Sequence, residues 1–359
     1  MTSLPKFPWD RLAPFVERAR AHPEGAVDLS VGTPADPTPE IIRRALSQAA
    51  DAPGYPKAAG STALREAITA WVRRECGAEG AFDVLPTIGS KEIVAGLAAQ
   101  LGIGGDDAIA VPQLAYPTYE VGARIAGASL VRMGPQPSET NGLRLMWLNY
   151  PANPTGEVVS AERMREIVDW CRARDVIVAS DECYLTLKGS RQQVSVLHPE
   201  VCGGDATGLL ALHSLSKRSN MAGYRAGFLA GDPQLVDRLL QLRRHSGMIP
   251  PAPVQAAMIA ALNDDEHAEA QRALYSTRRE MLSTALSASG FRIDHSQAGL
   301  YLWVTRGQDC WQTVADLADL GVVVAPGEFY GDAGMQHVRV ALTASTSDIE
   351  TVCARLSRL

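Results

Sequence analysis

Short apolar runs alternate with amphipathic stretches through most of the chain. Residues 108–111, 129–133, 143–149, 176–179 and 207–212 are apolar runs of the length that predicts buried strands. Between them, residues 118–127 and 160–174 carry helical periodicity, the second opened by Ser160 as a cap. Upstream, residues 27–34 predict a short strand breaking at Gly32, 39–50 a helix, and 61–76 an amphipathic helix. Residues 84–88 predict a strand that turns at Gly89 into a helix ending near Leu101. Strand, loop and helix in this repeated order predict a mostly parallel sheet covered on both faces. Past a helix over 234–245, Pro250, Pro251 and Pro253 break the chain, and one long helical region is predicted over 254–289. Strands at 300–304, 322–324 and 337–341 then predict a second, smaller α/β domain. The expected division is an N-terminal arm and segment packing with the small domain (1–45), a large domain (46–250) and a small C-terminal domain (251–359) joined by the long helix.

Composition narrows the partners. The chain has 359 residues, 46% hydrophobic and 21% charged, with a net charge of −6, which disfavours nucleic acid and anionic membrane surfaces. No run of eighteen apolar residues is present, and the first ten residues lack the apolar stretch of a signal peptide, so a cytoplasmic protein is expected. Six cysteines are scattered without metal-ligand spacing, which suits reduced thiols, and no metal is expected.

The polar residues that follow the apolar runs carry the chemistry. Asp181, Asn153, Gly89 and the segment Ser214-Leu215-Ser216-Lys217 each end a predicted strand. In a parallel sheet these ends share one edge, so the groups converge on one crevice. Gly89, Ser90 and Lys91 open a helix, whose free N–H groups suit an anion. A lysine amine, a carboxylate, an amide, a phenol and phosphate donors together match the needs of pyridoxal phosphate, whose aldehyde condenses with a lysine and whose ring nitrogen is kept protonated by a carboxylate.

The motifs Asn153-Pro154-Thr155-Gly156, Asp181-Glu182-Cys183-Tyr184, Ser214-Leu215-Ser216-Lys217 and Gly223-Tyr224-Arg225-Ala226-Gly227 resemble, in order and spacing, the fold type I aminotransferases of class I/II. The resemblance covers essentially the whole chain. It implies that Lys217 holds the cofactor and carries the proton, that Asp181 pairs with the pyridinium nitrogen and stays ionised, and that Asn153 and Tyr184 hydrogen-bond the phenolic oxygen. It also implies that Gly89, Ser90, Lys91, Ser214 and Arg225 cradle the phosphate, Tyr116 stacks on the ring, and Arg339 with Gly32 binds the substrate carboxylate. Tyr55 would reach the cofactor of a neighbouring subunit, implying a homodimer with shared active sites. An arginine within an apolar strand, as Arg339 is, also needs an anion for its own reasons. Ser216 is a poorer phosphate donor than Ser214 by its spacing, Arg218 is expected to be a surface or interface charge, and Glu92 and Glu182 are expected to be structural or solvated.

Leu4-Pro5-Lys6-Phe7-Pro8-Trp9-Asp10, Ser30-Val31-Gly32-Thr33-Pro34 and Arg244-His245-Ser246-Gly247-Met248 are similar to stretches of the actinobacterial N-succinyldiaminopimelate aminotransferases. That resemblance implies exchange between glutamate/2-oxoglutarate and N-succinyl-LL-2,6-diaminopimelate in lysine biosynthesis, with Lys57, Arg244 and His245 as cations for the distal carboxylates. The alternatives are an aminotransferase of aspartate, aromatic amino acids or unsuccinylated diaminopimelate, and a pyridoxal phosphate β-lyase. A non-catalytic sensor would need a DNA-binding segment, for which the arm over residues 1–10 is too short.

Overall fold

The computed structural model describes residues 4–134 and 136–358; the first three residues of the predicted arm lie outside them. Pro8–Leu12 forms a 3-10 turn with proline at its first position, where no N–H is needed. It runs into α1 (Ala13–Arg20), β1 (Val27–Asp28), α2 (Glu40–Gln48) and α3 (Thr62–Cys76). Ser61 caps α3 by accepting the Leu64 N–H at 3.1 Å, and Gly77 closes it in the left-handed conformation.

The large unit continues with β2 (Asp83–Ile88), α4 (Gly89–Gln100), β3 (Ala108–Pro112), α5 (Thr118–Ala126), β4 (Ser129–Met133), β5 (Leu143–Leu148), α6 (Ala161–Arg172), β6 (Ile177–Asp181), α7 (Pro199–Cys202), β7 (Leu209–Ser214), α8 (Leu215–Arg218), β8 (Ala226–Gly231), α9 (Pro233–Ser246) and α10 (Ala252–Asn263). Its seven strands are ordered β2-β8-β7-β6-β5-β3-β4. All run parallel except β8, which is antiparallel to both β2 and β7. Strand alternation splits the core into two layers: Ala108, Ala110, Leu209 and Ala211 pack with α3, α6 and α10, while Ile109, Val111, Leu210 and Leu212 pack with α4, α5 and α9.

The small unit comprises α11 (Glu266–Ala288), β9 (Arg292–Asp294), β10 (Tyr301–Thr305), α12 (Cys310–Asp319), β11 (Val322–Val323), β12 (Ala325–Pro326), β13 (Val338–Ala341) and α13 (Thr346–Leu356). Its sheet is antiparallel, ordered β12-β13-β10-β9, and β11 instead pairs in parallel with β1. Among the described residues no helix is long and apolar enough to cross a membrane.

Two predicted features change. The long helix over 254–289 is two helices, because Asp264 leaves helical geometry and its carboxylate accepts the Glu266 N–H at 3.0 Å while meeting His267 Nδ1 at 2.8 Å, the work of a cap. The first of the two, α10, buries Ala257, Met258, Ala261 and Leu262 in the sheet's core with α2 and α3. α10 thus packs with the sheet of the large unit, and α11 begins at Glu266. The second change is β8, which the sequence pattern does not predict as a strand and whose reversed direction matters for the site.

Candidate functional site

The predicted residues meet at the C-terminal edge of the parallel strands. Gly89 follows β2, Asn149 and Asn153 follow β5, Asp181 ends β6, Ser214 ends β7 and Lys217 follows it. Because β8 runs backwards, its N-terminal end reaches the same edge and delivers Arg225 there.

Gly89 and Arg225 form one surface. Gly89 has φ +70°, and a Cβ on it would lie 2.5 Å from Arg225 Nη2, so only glycine lets the guanidinium lie against the start of α4. Arg225 itself is left-handed (φ 56°), with Nη1 donating to the Ala222 carbonyl at 2.8 Å. A helix N-terminus beside an exposed guanidinium could hold a phosphate-sized anion. Ser214 Oγ accepts the Ser216 N–H at 3.1 Å, which leaves its hydroxyl proton free to donate into the same space.

Asp181 is buried. Its Oδ2 accepts from Tyr119 Oη at 2.9 Å and its Oδ1 from the Cys183 N–H at 3.2 Å. Burial raises its pKa and these two bonds oppose the rise, so the carboxylate gains most from a cation set against it. Tyr119 stacks on Trp147 at 4.8 Å and meets Tyr116 edge-on at 5.8 Å; burial pushes the Tyr116 hydroxyl up to about 12.

A hydrogen-bonded line crosses from the large unit to the small one. Asn149 Nδ2 donates to the Asp181 carbonyl at 2.9 Å, and its Oδ1 accepts the Asn153 N–H at 2.8 Å. Asn153 Oδ1 in turn accepts from Arg339 Nη1 at 2.8 Å, and Arg339 Nη2 donates to the Ser30 carbonyl at 2.5 Å. The Arg339 guanidinium lies 4.0 Å from the Tyr301 ring centroid, and Tyr301 Oη is 3.2 Å from Tyr184 Oη. Gly32 packs on the same phenol: a Cβ there would collide with Tyr301 Oη. Arg339 is buried, with neutral acceptors on both terminal nitrogens and no partner on Nε.

Burial lowers the Lys217 ammonium from its ordinary range to about 8, and the Arg339 and Arg225 guanidiniums push the same way. Lys217 is thus an amine that can be neutral near physiological pH.

Some predicted residues stay outside this cluster. Tyr55 is fully exposed, and Lys57, Arg244 and His245 are exposed as well. Lys91 is exposed, its ammonium 5.6 Å from the Phe7 ring. Arg218 is a correction: rather than a surface charge it is buried, donating to the Ala261 carbonyl at 2.7 Å and pairing with Asp265 at 2.8 Å. Glu92 holds the buried Arg243 at 2.6 Å and accepts the Ile88 N–H at 2.9 Å, while Glu182 accepts from Ser180 and Val196 in the interior. Glu182 also meets Cys76 and His213, their heteroatoms all within 4.8 Å of one another, a grouping that the sequence separation concealed. Burial pushes Glu182 up to about 7 and His213 down to about 3.

Sequence reasoning did not single out Tyr119, Asn149, Tyr301 or Ser30. Tyr119 lies one helical turn beyond Tyr116 and Asn149 is the first residue past β5, so both positions were open to inspection; Tyr301 reads as an ordinary strand residue.

A twisted, mostly parallel sheet with a lysine, a carboxylate and an anion cradle at one edge, closed by an arginine from a smaller unit, defines a fold type I pyridoxal phosphate enzyme. The family model for aminotransferase class I and II matches residues 24–356, and the chain belongs to that family. It is 52% identical over 364 residues to 4-dedimethylamino-4-oxo-anhydrotetracycline transaminase OxyQ of Streptomyces rimosus, covering 99% of this chain and 100% of the relative. It is 53% identical over 363 residues to probable aminotransferase Rv1178 of Mycobacterium tuberculosis, covering 99% and 86%. The solved structure of a probable N-succinyldiaminopimelate aminotransferase from Thermus thermophilus matches with a TM-score of 0.86 at 26% identity, covering 98% and 100%. The family is pyridoxal phosphate dependent and acts on small amino and oxo acids.

Proposed function

We propose that the protein transfers an amino group between glutamate/2-oxoglutarate and N-succinyl-LL-2,6-diaminopimelate/N-succinyl-2-amino-6-oxopimelate. The observation that carries the catalytic part of this reading is the line Asp181-Asn149-Asn153-Arg339 beside a lysine of lowered pKa. In this reading Asp181 would be the ring-nitrogen partner, Asn153 a donor to the phenolic oxygen and Arg339 the carboxylate anchor.

The residues fit the cofactor. The Gly89 and Arg225 cradle with the Ser214 hydroxyl and the Ser90 and Lys91 N–H groups would hold the phosphate, and Asp181 the pyridinium nitrogen. Asn153 gives its Oδ1 to Arg339, so its Nδ2 is left to donate to the phenolic oxygen together with Tyr184 Oη. Tyr116 would supply the ring face. Bound pyridoxal phosphate supplies the electron sink that lets a substrate Cα–H bond ionise. Lys217 Nζ would hold the cofactor and would be the base that takes the substrate Cα proton and the acid that returns it. Arg339 orients the substrate by its carboxylate, with Gly32 leaving room for the Tyr301 phenol beneath. Tyr55, fully exposed on its own chain, would complete the phosphate site of a second copy in a homodimer.

Only the neutral amine attacks an aldehyde. The rate at which cofactor-free protein captures pyridoxal phosphate, followed by visible absorbance, is therefore expected to rise with pH and level off above about 8. A lysine with an ordinary pKa would still be rising at about pH 10, and that profile would remove Lys217 from the role.

The substrate assignment rests on the similarity of residues 4–10, 30–34 and 244–248 with the prolines that follow, and is supported by the likeness to the Thermus structure. The identity of 52% to OxyQ across the whole chain favours a second reading, a bulky fused-ring ketone as amino acceptor. Both are tested by assaying the succinylated substrate beside aspartate, aromatic amino acids, unsuccinylated diaminopimelate and a fused-ring ketone. A specificity constant for the succinylated compound at least about tenfold above every other is expected, on the order of one extra charged contact; comparable turnover of any other sinks the assignment.

A further inference from the structure

Three polar atoms around Arg339 are shielded from solvent and have no partner: Nε of Arg339 itself, Nε1 of Trp9 and Oη of Tyr330. Their side chains are in mutual contact. Arg339 Cζ lies 5.1 Å from the Tyr330 ring centroid and 5.9 Å from that of Trp9, and the Trp9 and Tyr330 rings meet edge-on at 6.5 Å. Trp9 is held there by Phe7 and Phe329, with centroids at 5.5 and 5.2 Å. Its 3-10 turn is pinned to the small unit through Arg11, which pairs with both oxygens of Glu328 at 3.0 Å and covers the Trp311 ring at 4.7 Å.

A buried donor without an acceptor is costly, and three unpartnered groups in one cluster point to something that fills them together. The indole N–H can only donate, as can the guanidinium, and the hydroxyl can donate too. The missing partner is therefore an acceptor, and beside a buried guanidinium it should be an anion. The contacts of Trp9 with Phe7, Phe329 and Tyr330 are ring contacts, and none of them gives its N–H an acceptor. The N–H is the part that packing leaves unexplained.

We propose that Trp9 is a substrate-binding residue whose indole N–H, together with the Tyr330 hydroxyl, donates to the carboxylate held by Arg339. The inference rests on the reading of Arg339 as the carboxylate anchor and adds the N-terminal turn to the specificity machinery. It makes residues 8–12 part of the active site rather than only a brace for the small unit.

The test uses the pyridoxal phosphate holoenzyme titrated with glutarate, an unreactive dicarboxylate, with the cofactor absorbance as the readout. Trp9→Phe keeps the ring and removes one donor; its Kd is expected to rise about tenfold, with the melting temperature within about 2 °C of wild type. Tyr330→Phe should weaken binding in the same direction, and Arg339→Ala should abolish it. Wild-type affinity in Trp9→Phe with binding lost in Arg339→Ala overturns the inference and leaves the carboxylate anchor standing. Wild-type affinity in Arg339→Ala overturns both. A loss in Trp9→Phe accompanied by a clearly lowered melting temperature, with Tyr330→Phe binding normally, also counts against it, because packing alone would then account for the effect.

Discussion

Replacing Lys217 with alanine is expected to remove transamination, by more than about 10⁴-fold, and to eliminate covalently held cofactor. Two losses combine at one atom. The amine that would join the cofactor is gone, and so is the base that moves the substrate proton. Among the described residues of the cluster no other amine can replace either, because Arg225 and Arg339 carry guanidinium groups. The anion cradle and Asp181 are untouched, so pyridoxal phosphate should still bind by its polar contacts, with the absorbance of a free aldehyde. Stability should not suffer, because the lowered pKa of Lys217 means that burial disfavours its charge in the fold. Absorbance spectra, borohydride trapping and a glutamate half-reaction check all three points; a yellow and active Lys217→Ala protein would refute the catalytic reading.

Asp181→Asn is the second large effect, with turnover expected to fall about a thousandfold and cofactor affinity to fall with it. Burial alone drives this carboxyl toward its neutral form, and the Tyr119 and Cys183 donors only partly restrain it. A pyridinium set against it would settle the charge, and by the same coupling the carboxylate would keep the ring nitrogen protonated. Asparagine keeps the size and its oxygen can still accept one of the two bonds, so the fold should survive while the charge does not. Single-turnover measurements with glutamate, beside a cofactor titration, separate the two losses. Activity within about tenfold of wild type would show that the carboxylate charge is not what the ring requires.

The sheet and the strand-end residues were legible because both depend on local signals. Apolar runs of strand length mark β3 to β7, and the polar residue that follows each run falls where the chain leaves the sheet. What depended on distant parts of the chain was not legible. β8 is a glycine- and alanine-rich stretch, Ala226-Gly227-Phe228-Leu229-Ala230-Gly231, whose strand character comes from being clamped between β2 and β7. The break at Asp264 hides within otherwise helical periodicity. Arg218 looks like any surface arginine until the Ala261 carbonyl and Asp265 come round to meet it. The line from Asp181 to Arg339 was half visible: its ends carry charges, but Asn149 in the middle is an uncharged residue whose two bonds appear only in three dimensions.

That line also bears on how the molecule reaches its working state. Arg339 bonds to residues 186 and 309 positions earlier in the chain, so its guanidinium has these acceptors only when two remote segments are already in place. Closing such long loops is slow compared with forming the local helices and hairpins of either unit. The two bonds of Arg339 are therefore expected to form after the local elements of either unit. A chain synthesised from its N-terminus makes Ser30 and Asn153 well before β13 brings the arginine that joins them.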